Sequence, residues 1–196
     1  MSTTELFVEL VVIGAGAFIW ISLLIFSLFG YDWIPWQSIS SVISLIPSLA
    51  IIYVLGITVD KVVDRLFSKW DKKLRKDYFL TNEDYHRART YVYTYAADKI
   101  VNLFEYGRSR IRITRSWSIN SLFLMISVPL FVLTQFMGRL TQVMMLVILA
   151  SIVVFLMLSY LLLFSWRKLA ENDYKRLSET FLFSKDEGTS LLFAPL

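Results

Sequence analysis

The side chains of this chain that could do chemistry are few, and its densest charge cluster consists of arginines. Arg108, Arg112 and Arg115 recur at steps of four and three, so a helix would place them on one face. Guanidinium groups suit phosphate oxygens, and this face predicts contact with lipid headgroups or with a phosphorylated ligand. The alternative for the same cluster is a plain anchor at the membrane surface.

Residue types that catalyse reactions are scarce. The chain has no cysteine and a single histidine, His86, which excludes disulfides and thiolate chemistry and most zinc or iron sites. The sequence contains no Walker loop, dinucleotide fingerprint, GxSxG or HExxH motif. We therefore expect a protein that is not an enzyme, with no cofactor, no metal and a solvated or helix-capping His86.

Neutral polar residues recur within apolar stretches and predict two faces that avoid lipid. They are Ser41, Ser44 and Ser48 on one helix and Asn120, Ser127 and Thr134, at seven-residue steps, on another. In a pore such residues would line water. In a closed bundle they would form hydrogen bonds between helices, each worth about 0.6 to 2 kcal/mol. Both alternatives stay open, and the closed bundle is favoured.

Two prolines and one acid are the other unusual residues. Pro47 lies 12 residues before Val59 and Pro129 lies 12 residues after Trp117, so both fall about 18 Å from the same boundary. Matched kinks would make a shared hinge, although membrane helices also tolerate proline as a packing feature.

Glu9 is interpreted as an interfacial carboxylate. Its placement also resembles the membrane carboxylate of small four-helix multidrug exporters, which are much shorter and lack a long basic connection.

Four stretches almost without charge must position these residues. They cover residues 6–29, 39–59, 117–137 and 143–166. About 20 apolar residues at about 1.5 Å each cross a hydrocarbon layer of about 30 Å. With 56% hydrophobic and 18% charged residues, the chain is too apolar for an ordinary soluble domain. The sequence therefore predicts an all-α integral membrane four-helix bundle.

The distribution of charge predicts how the chain is oriented. Residues 60–116 hold 14 lysines and arginines against 8 acids, whereas the connections 30–38 and 138–142 hold one basic residue, Arg139. The positive-inside rule places 60–116 in the cytoplasm, together with both termini, in the inner cell membrane. The predicted parts are 1–59 with two spans, 60–116 as a basic hairpin, 117–166 with two spans, and the tail 167–196.

Two apolar stripes predict that the second and third spans continue as antiparallel cytoplasmic helices joined near Leu80. Thr81 and Asp84 have the spacing of a helix cap, and they predict where the second of these helices begins. The first stripe contains Val63, Phe67, Trp70 and Leu74. The second contains Tyr85, Ala88, Val92, Ala96, Ile100, Leu103 and Gly107.

Two helices alone bury little surface, so further aromatic side chains are expected to pack on the tail or on another subunit. The predicted partner surface contains Tyr91, Tyr93, Tyr95, Phe104 and Phe193. The tail is expected to be helical to about Leu182, to break at residues 186–189, and to end in an apolar segment that docks on the hairpin, the membrane or a neighbouring chain.

These observations favour a homo-oligomeric membrane protein whose cytoplasmic helices sense or dock a soluble partner and gate a pore. The plan resembles that of small multi-span effectors of prokaryotic antiviral systems, without a shared motif. A passive anchor that recruits a cytoplasmic protein is the alternative, and a small solute or lipid transporter that depends on Glu9 is a third. Membrane lipids and a cytoplasmic protein are the expected partners, and nucleic acid is not.

Overall fold

A computed structural model of the chain describes residues 3–34, 42–136 and 141–192, with side chains over 4–34, 45–136 and 141–182. Within these ranges the chain forms five helices and no strand, which confirms the predicted all-α class. The helices are α1 (Thr3–Phe29), α2 (Val42–Lys76), α3 (Asn82–Tyr95), α4 (Asp98–Phe136) and α5 (Gln142–Leu192).

Four of the helices, α1, α2, α4 and α5, are long and apolar enough to cross a membrane. They contain the four predicted apolar stretches, apart from residues outside the described ranges. Large apolar side chains are exposed along them, such as Ile46 at 74% and Leu146 at 67%. Exposure of this kind suggests a membrane protein, because a soluble fold would bury these side chains.

The long helices pack in the order α2, α1, α4, α5. α1 packs along both α2 and α4, and α5 packs along α4, whereas α2 reaches α4 and α5 only over short contacts. α3 packs on α5. This order leaves much of α2 and α5 uncovered.

The hydrophobic core lies beyond the apolar stretches, where α2, α3, α4 and α5 meet. Its centre is the edge-to-face contact of Phe67 with Trp166, at 4.7 Å between ring centroids. Of the predicted α2 stripe, Val63, Phe67 and Leu74 are buried. The prediction for Trp70 is wrong: its ring is 56% exposed and packs edge-on against Phe67 at the rim of the core.

The turn between α2 and α3 has the predicted cap. The Thr81 hydroxyl accepts a hydrogen bond from the Asp84 backbone N–H at 3.1 Å, and the Thr81 N–H donates to the Asp84 carboxylate at 3.1 Å. The backbone N–H groups of Thr81 and Asp84 thereby each have an acceptor, and the predicted helix start is confirmed.

The second predicted stripe is interrupted where α3 ends at Tyr95 and α4 begins at Asp98. A break resets the helical phase, so Ile100 and Leu103 are exposed and Phe104 is buried instead. Ala96 still packs against the core, so the prediction of one continuous helix with a single apolar stripe is wrong only beyond Ala96.

The predicted break at residues 186–189 is also wrong, because α5 continues to Leu192. A single glycine such as Gly188 costs a helix interior only about 1 kcal/mol relative to alanine, which is too little to end a long helix. Phe193 lies outside the described residues.

Candidate functional site

Five charged side chains from three helices form an ionic network, consisting of Glu9 on α1, Asp60 and Asp64 on α2, and Arg112 and Arg115 on α4. Arg112 pairs with Asp60 at 2.8 Å and with Glu9 at 3.1 Å. Arg115 pairs with Asp64 at 2.7 Å and with Asp60 at 3.4 Å. Asp60 thus bridges both arginines and holds α2 to α4.

The helical repeat explains why these residues meet. Asp60 and Asp64 are four residues apart on α2, and Arg112 and Arg115 are three apart on α4, so each pair lies on one helix face. Asp60 follows the predicted second span directly, and Arg115 precedes the predicted third span by two residues. The four charges therefore lie at the same end of two apolar segments.

Burial makes the members of the ionic network depend on one another. Glu9 is 2% exposed, Asp60 7% and Arg115 8%, whereas the Asp64 side chain is 65% exposed. A buried charge without its partner costs about 3 to 5 kcal/mol. The contact of Glu9 with Arg112 has the distance of an ion pair but not the geometry of a hydrogen bond. Because its side chain is mostly exposed, Asp64 is the member whose ion pair with Arg115 water can replace.

The ionic network, apart from Glu9, forms one wall of a cavity of about 770 Å³ between α1, α2, α3, α4 and α5, which we call the charged cavity. Its lining carries both signs of charge. The further acidic, basic or histidine residues of the lining are Lys61, Asp71, Arg75, His86, Arg89, Glu105, Arg108 and Asp173. A cavity of this character suits a charged, water-soluble group better than an apolar one.

Hydrogen bonds hold a second part of the cavity wall, further along α2 from the ionic network. The Tyr174 hydroxyl of α5 donates to Asp71 of α2 at 2.6 Å, and Arg75 donates to the same carboxylate at 2.8 Å. The Arg75 guanidinium also lies 4.3 Å from the centre of the Tyr85 ring, a cation–π contact. α2, α3 and α5 are thereby joined at this wall.

Asp173 and Arg108 face each other between α5 and α4. Burial raises the pKa of the Asp173 carboxyl to about 6, although Arg108, Arg176 and Arg89 oppose this. Arg108 donates to the Tyr93 hydroxyl at 3.4 Å. A carboxyl with this pKa changes its charge near neutral pH.

The arginine face predicted from the sequence is present, but its partners are carboxylates of the same chain. Arg112 and Arg115 belong to the ionic network, and Arg108 lines the charged cavity. Their contact with lipid phosphate or an anionic ligand stays a prediction. Glu9 is buried against Arg112, and its position at the membrane interface stays a prediction.

The predicted polar faces lie in different surroundings. Asn120 and Ser127 are buried between helices, Ser48 is partly exposed and Thr134 is exposed. The Asn120 side chain donates to the Ile13 carbonyl at 3.0 Å and accepts from the Trp20 indole at 3.2 Å. Ser41 and the side chain of Ser44 lie outside the described residues.

The two prolines also differ in their surroundings, since Pro47 is exposed on α2 and Pro129 is buried on α4. Both lie inside continuous helices. Because α2 and α4 touch only over a short contact, the shared hinge stays a prediction.

The predicted partner surface is divided by the fold. Phe104 belongs to the core, and Tyr91 packs edge-on against Phe181 of α5 at 5.6 Å between ring centroids. Tyr93 is half-buried beside Arg108, and Tyr95 is 72% exposed. A role in partner binding stays a prediction for the exposed part.

Sequence reasoning missed the acids that complete the site, namely Asp60, Asp64, Asp71 and Asp173. Asp60, Asp64 and Asp71 enter the charge count of residues 60–116 without a role of their own, and no pattern in the sequence singles out Asp173. A usable signal existed for Asp60 and Asp64, which share a helix face next to a span end, at the height where Arg112 and Arg115 must lie.

Comparisons with protein families, with curated proteins and with solved structures find no match to this chain. Its class therefore follows from its own features. It is an all-α protein with four helices long and apolar enough to span a membrane, and with an ionic network and a charged cavity at one end of them.

Proposed function

We propose that this chain is a multi-pass membrane protein that catalyses no reaction and docks a soluble cytoplasmic partner at the charged cavity. α1, α2, α4 and α5 would supply the spans, and α3 with the ends of α2, α4 and α5 the cytoplasmic bundle. Four sufficiently long and apolar helices support the spans. The excess of lysine and arginine in residues 60–116 supports the cytoplasmic side.

The observation that carries the docking proposal is the position of the ionic network between the spans and the charged cavity. Asp64 is mostly exposed, yet it pairs with the buried Arg115 at 2.7 Å. A charged group of a docked partner would compete for this ion pair. Docking would then change the interaction that holds α2 to α4, so the partner acts directly on the spans.

The proposal includes a homo-oligomer, because one chain leaves the apolar part of α5 largely uncovered. Some of this surface would contact lipid, and some would contact a second copy. Copies arranged around an axis would bring their cytoplasmic bundles together. A change in the ionic network would then alter the packing around the axis, and with it the permeability of the membrane, as in an effector.

Membrane placement is tested by labelling, and the absence of cysteine in the natural chain makes single-cysteine variants clean probes. A membrane-impermeant maleimide should label Asp32→Cys in intact cells and Lys72→Cys only after permeabilisation. Labelling of Lys72→Cys from outside intact cells would overturn the orientation.

Docking is tested with a photo-crosslinking amino acid at His86, which is exposed at the charged cavity. We expect a discrete crosslinked protein that is lost when Arg89→Glu reverses a charge of the cavity wall. The matched control is Arg87→Glu, because Arg87 lies on the same helix outside the cavity lining. Equal crosslinking in both variants would show that the cavity is not the docking site.

A passive anchor is the second candidate, and the burial of Asn120 and Ser127 favours it. These two polar residues pack between helices of one chain, so they provide no polar path along its interior. Ion flux in reconstituted vesicles, measured with the crosslinked partner added, separates the candidates. The pore requires flux that Thr134→Leu reduces, and the anchor requires none.

A further inference from the structure

The second half of α2 separates its acids from most of its bases. Asp60, Asp64 and Asp71 line the charged cavity, where each pairs with an arginine. The exposed basic residues of the same segment that lie outside the cavity lining are Arg65, Lys69, Lys72, Lys73 and Lys76. In the described part of the chain none of these five forms an ion pair. The helix therefore presents positive charge without a counter-charge away from the cavity.

Exposed apolar side chains lie among these basic residues. Val62, Leu66 and Trp70 recur at steps of four, so they follow one side of α2, and they are 53%, 59% and 56% exposed. Lys69 and Lys73 each follow one of them by three residues, which adds both lysines to the same side. We call this side of α2, formed by these five residues, the basic–apolar face.

The contact between Phe67 and Trp166 sets the height of the basic–apolar face. The two rings lie 4.7 Å apart, and Trp166 ends the predicted fourth span. On the membrane placement proposed above, Phe67 is therefore level with the inner boundary of the hydrocarbon, although the sequence set the end of the second span earlier, at Val59. Leu66 lies at this level, and Trp70 lies about 5 Å beyond it. This is the depth of the lipid headgroups, which add about 5 to 8 Å on each side.

The chemistry of the basic–apolar face fits an anionic phospholipid. Lysine ammonium groups near the membrane surface attract anionic headgroups, and the tryptophan ring favours the same depth. Ile51, which is 53% exposed, lies three turns before Val62 on the same side of α2, so the apolar side of the span continues into the face. A second copy of the chain fits this face less well, because two such faces would bring like charges together.

We propose that the basic–apolar face of α2 binds anionic phospholipids of the inner leaflet. The ammonium groups of Lys69 and Lys73 bind the lipid phosphate, and the acyl chains lie along Val62 and Leu66. The acids of α2 stay with their arginines, so the lipid holds the helix without competing for the ionic network. The inference rests on the membrane placement proposed above and not on partner docking.

The experiment uses the full chain in phosphatidylcholine nanodiscs that contain a minor share of a lipid brominated near its headgroup, either phosphatidylglycerol or phosphatidylcholine. Bromine quenches tryptophan fluorescence at short range, and the difference between the natural chain and Trp70→Phe isolates the signal of Trp70. We expect the anionic lipid to be enriched at Trp70 about fivefold or more, the change that one lysine near an anionic surface contributes. The enrichment should fall toward one at about 0.5 M salt, because salt screens exposed charges.

Two double variants of equal charge locate the recognition. Lys69→Gln combined with Lys73→Gln should remove the enrichment at Trp70, because the face then has no ammonium group. The matched control is Arg87→Gln combined with Lys99→Gln, which removes the same charge from exposed positions on α3 and α4. The control should keep the enrichment of the natural chain.

Equal quenching by the two brominated lipids would overturn the proposal, since it would show lipid contact without recognition of charge. Quenching by neither lipid would overturn it too, because protein, such as a second copy, would then cover Trp70. Unchanged enrichment in the variant without Lys69 and Lys73 would assign the contact to other residues. Nanodiscs carry the same lipids on both sides, so labelling of Lys72→Cys from outside intact cells would refute the orientation alone and leave the enrichment standing.

Discussion

Gly14 of α1 and Gly56 of α2 face each other where the two helices cross. A Cβ added at Gly14 would overlap the backbone carbonyl of Ile52, and one added at Gly56 would overlap that of Leu10. Small residues permit this approach of backbones in membrane helices. The crossing lies one turn from Asp60, so it also sets the position of α2 in the ionic network.

Gly14→Ala should therefore destabilise the fold by about 1 to 3 kcal/mol, because the added methyl group must push α1 and α2 apart. The measurement is the thermal unfolding midpoint in detergent. The control is Gly107→Ala on α4, where the new Cβ would lie 3.4 Å from the Asp173 carboxylate, an ordinary contact. Alanine there should be neutral or stabilising, since it favours the helix by about 1 kcal/mol. Equal midpoints for the two variants would contradict the close crossing.

The ionic network predicts a strong dependence of stability on Arg112. Arg112→Gln should lower the free energy of unfolding by about 3 to 5 kcal/mol, because the buried carboxylates of Asp60 and Glu9 then lose the positive charge of Arg112. The exposed Arg110, which contacts the Tyr106 ring, is the control, and Arg110→Gln should change the free energy of unfolding by less than about 1 kcal/mol. Unfolding in mixed micelles of increasing denaturing detergent measures both.

A double-mutant cycle tests whether the pairing itself is responsible. Asp60→Asn combined with Arg112→Gln should be less destabilising than the sum of the two single variants, because neither charge is then left without the other. Additive effects would show that Asp60 and Arg112 do not interact in the folded protein.

The long apolar helices and the helix cap at Thr81 follow from local sequence, which is why they could be predicted. Length, composition and the spacing of Thr81 to Asp84 act within one segment. The break at Ala96 and Ala97 could not be predicted, because neither residue is a helix breaker. The stripe beyond it was assigned with the wrong phase for that reason.

The ionic network required information about contacts between segments. Arg112 and Asp60 are separated by 52 positions, and no periodicity within either helix pairs them. The same arginine spacing suits a phosphate or a carboxylate, so the sequence left the partner open. The sequence likewise did not determine the surroundings of Glu9, because its burial depends on the packing of α1 on α4.

Asp173 predicts a pH dependence of stability. Its pKa is about 6 in the folded chain against an ordinary value of 3.8, so the folded state binds the proton more tightly than the unfolded state. The protonated Asp173 carboxyl contributes to the stability of the folded state. This contribution is fully present below about pH 4 and is lost as the pH rises through about 6. Asp173→Asn should therefore raise the free energy of unfolding at pH 8 by up to about 3 kcal/mol, and the unfolding midpoint with it. At pH 4 the variant should have little effect on either quantity.

Asp77→Asn, which removes an exposed acid in the turn after α2, serves as the control variant. The comparison is the difference in midpoint between each variant and the natural chain across pH 4 to 8. A difference for Asp173→Asn that stayed constant across this range would contradict the raised pKa.

Asn120 distinguishes packing from a water-filled path. Its amide joins Ile13 and Trp20 of α1 and fits against Gly16, so it fastens α1 to α4. Asn120→Leu should cost about 1 to 3 kcal/mol, because the Trp20 indole loses its acceptor and the larger side chain meets α1. If Asn120 instead lined water, the leucine variant would keep its unfolding midpoint and change only ion flux. Since the side chain is 1% exposed and makes both hydrogen bonds within one chain, we expect the midpoint to fall whether or not a partner is present.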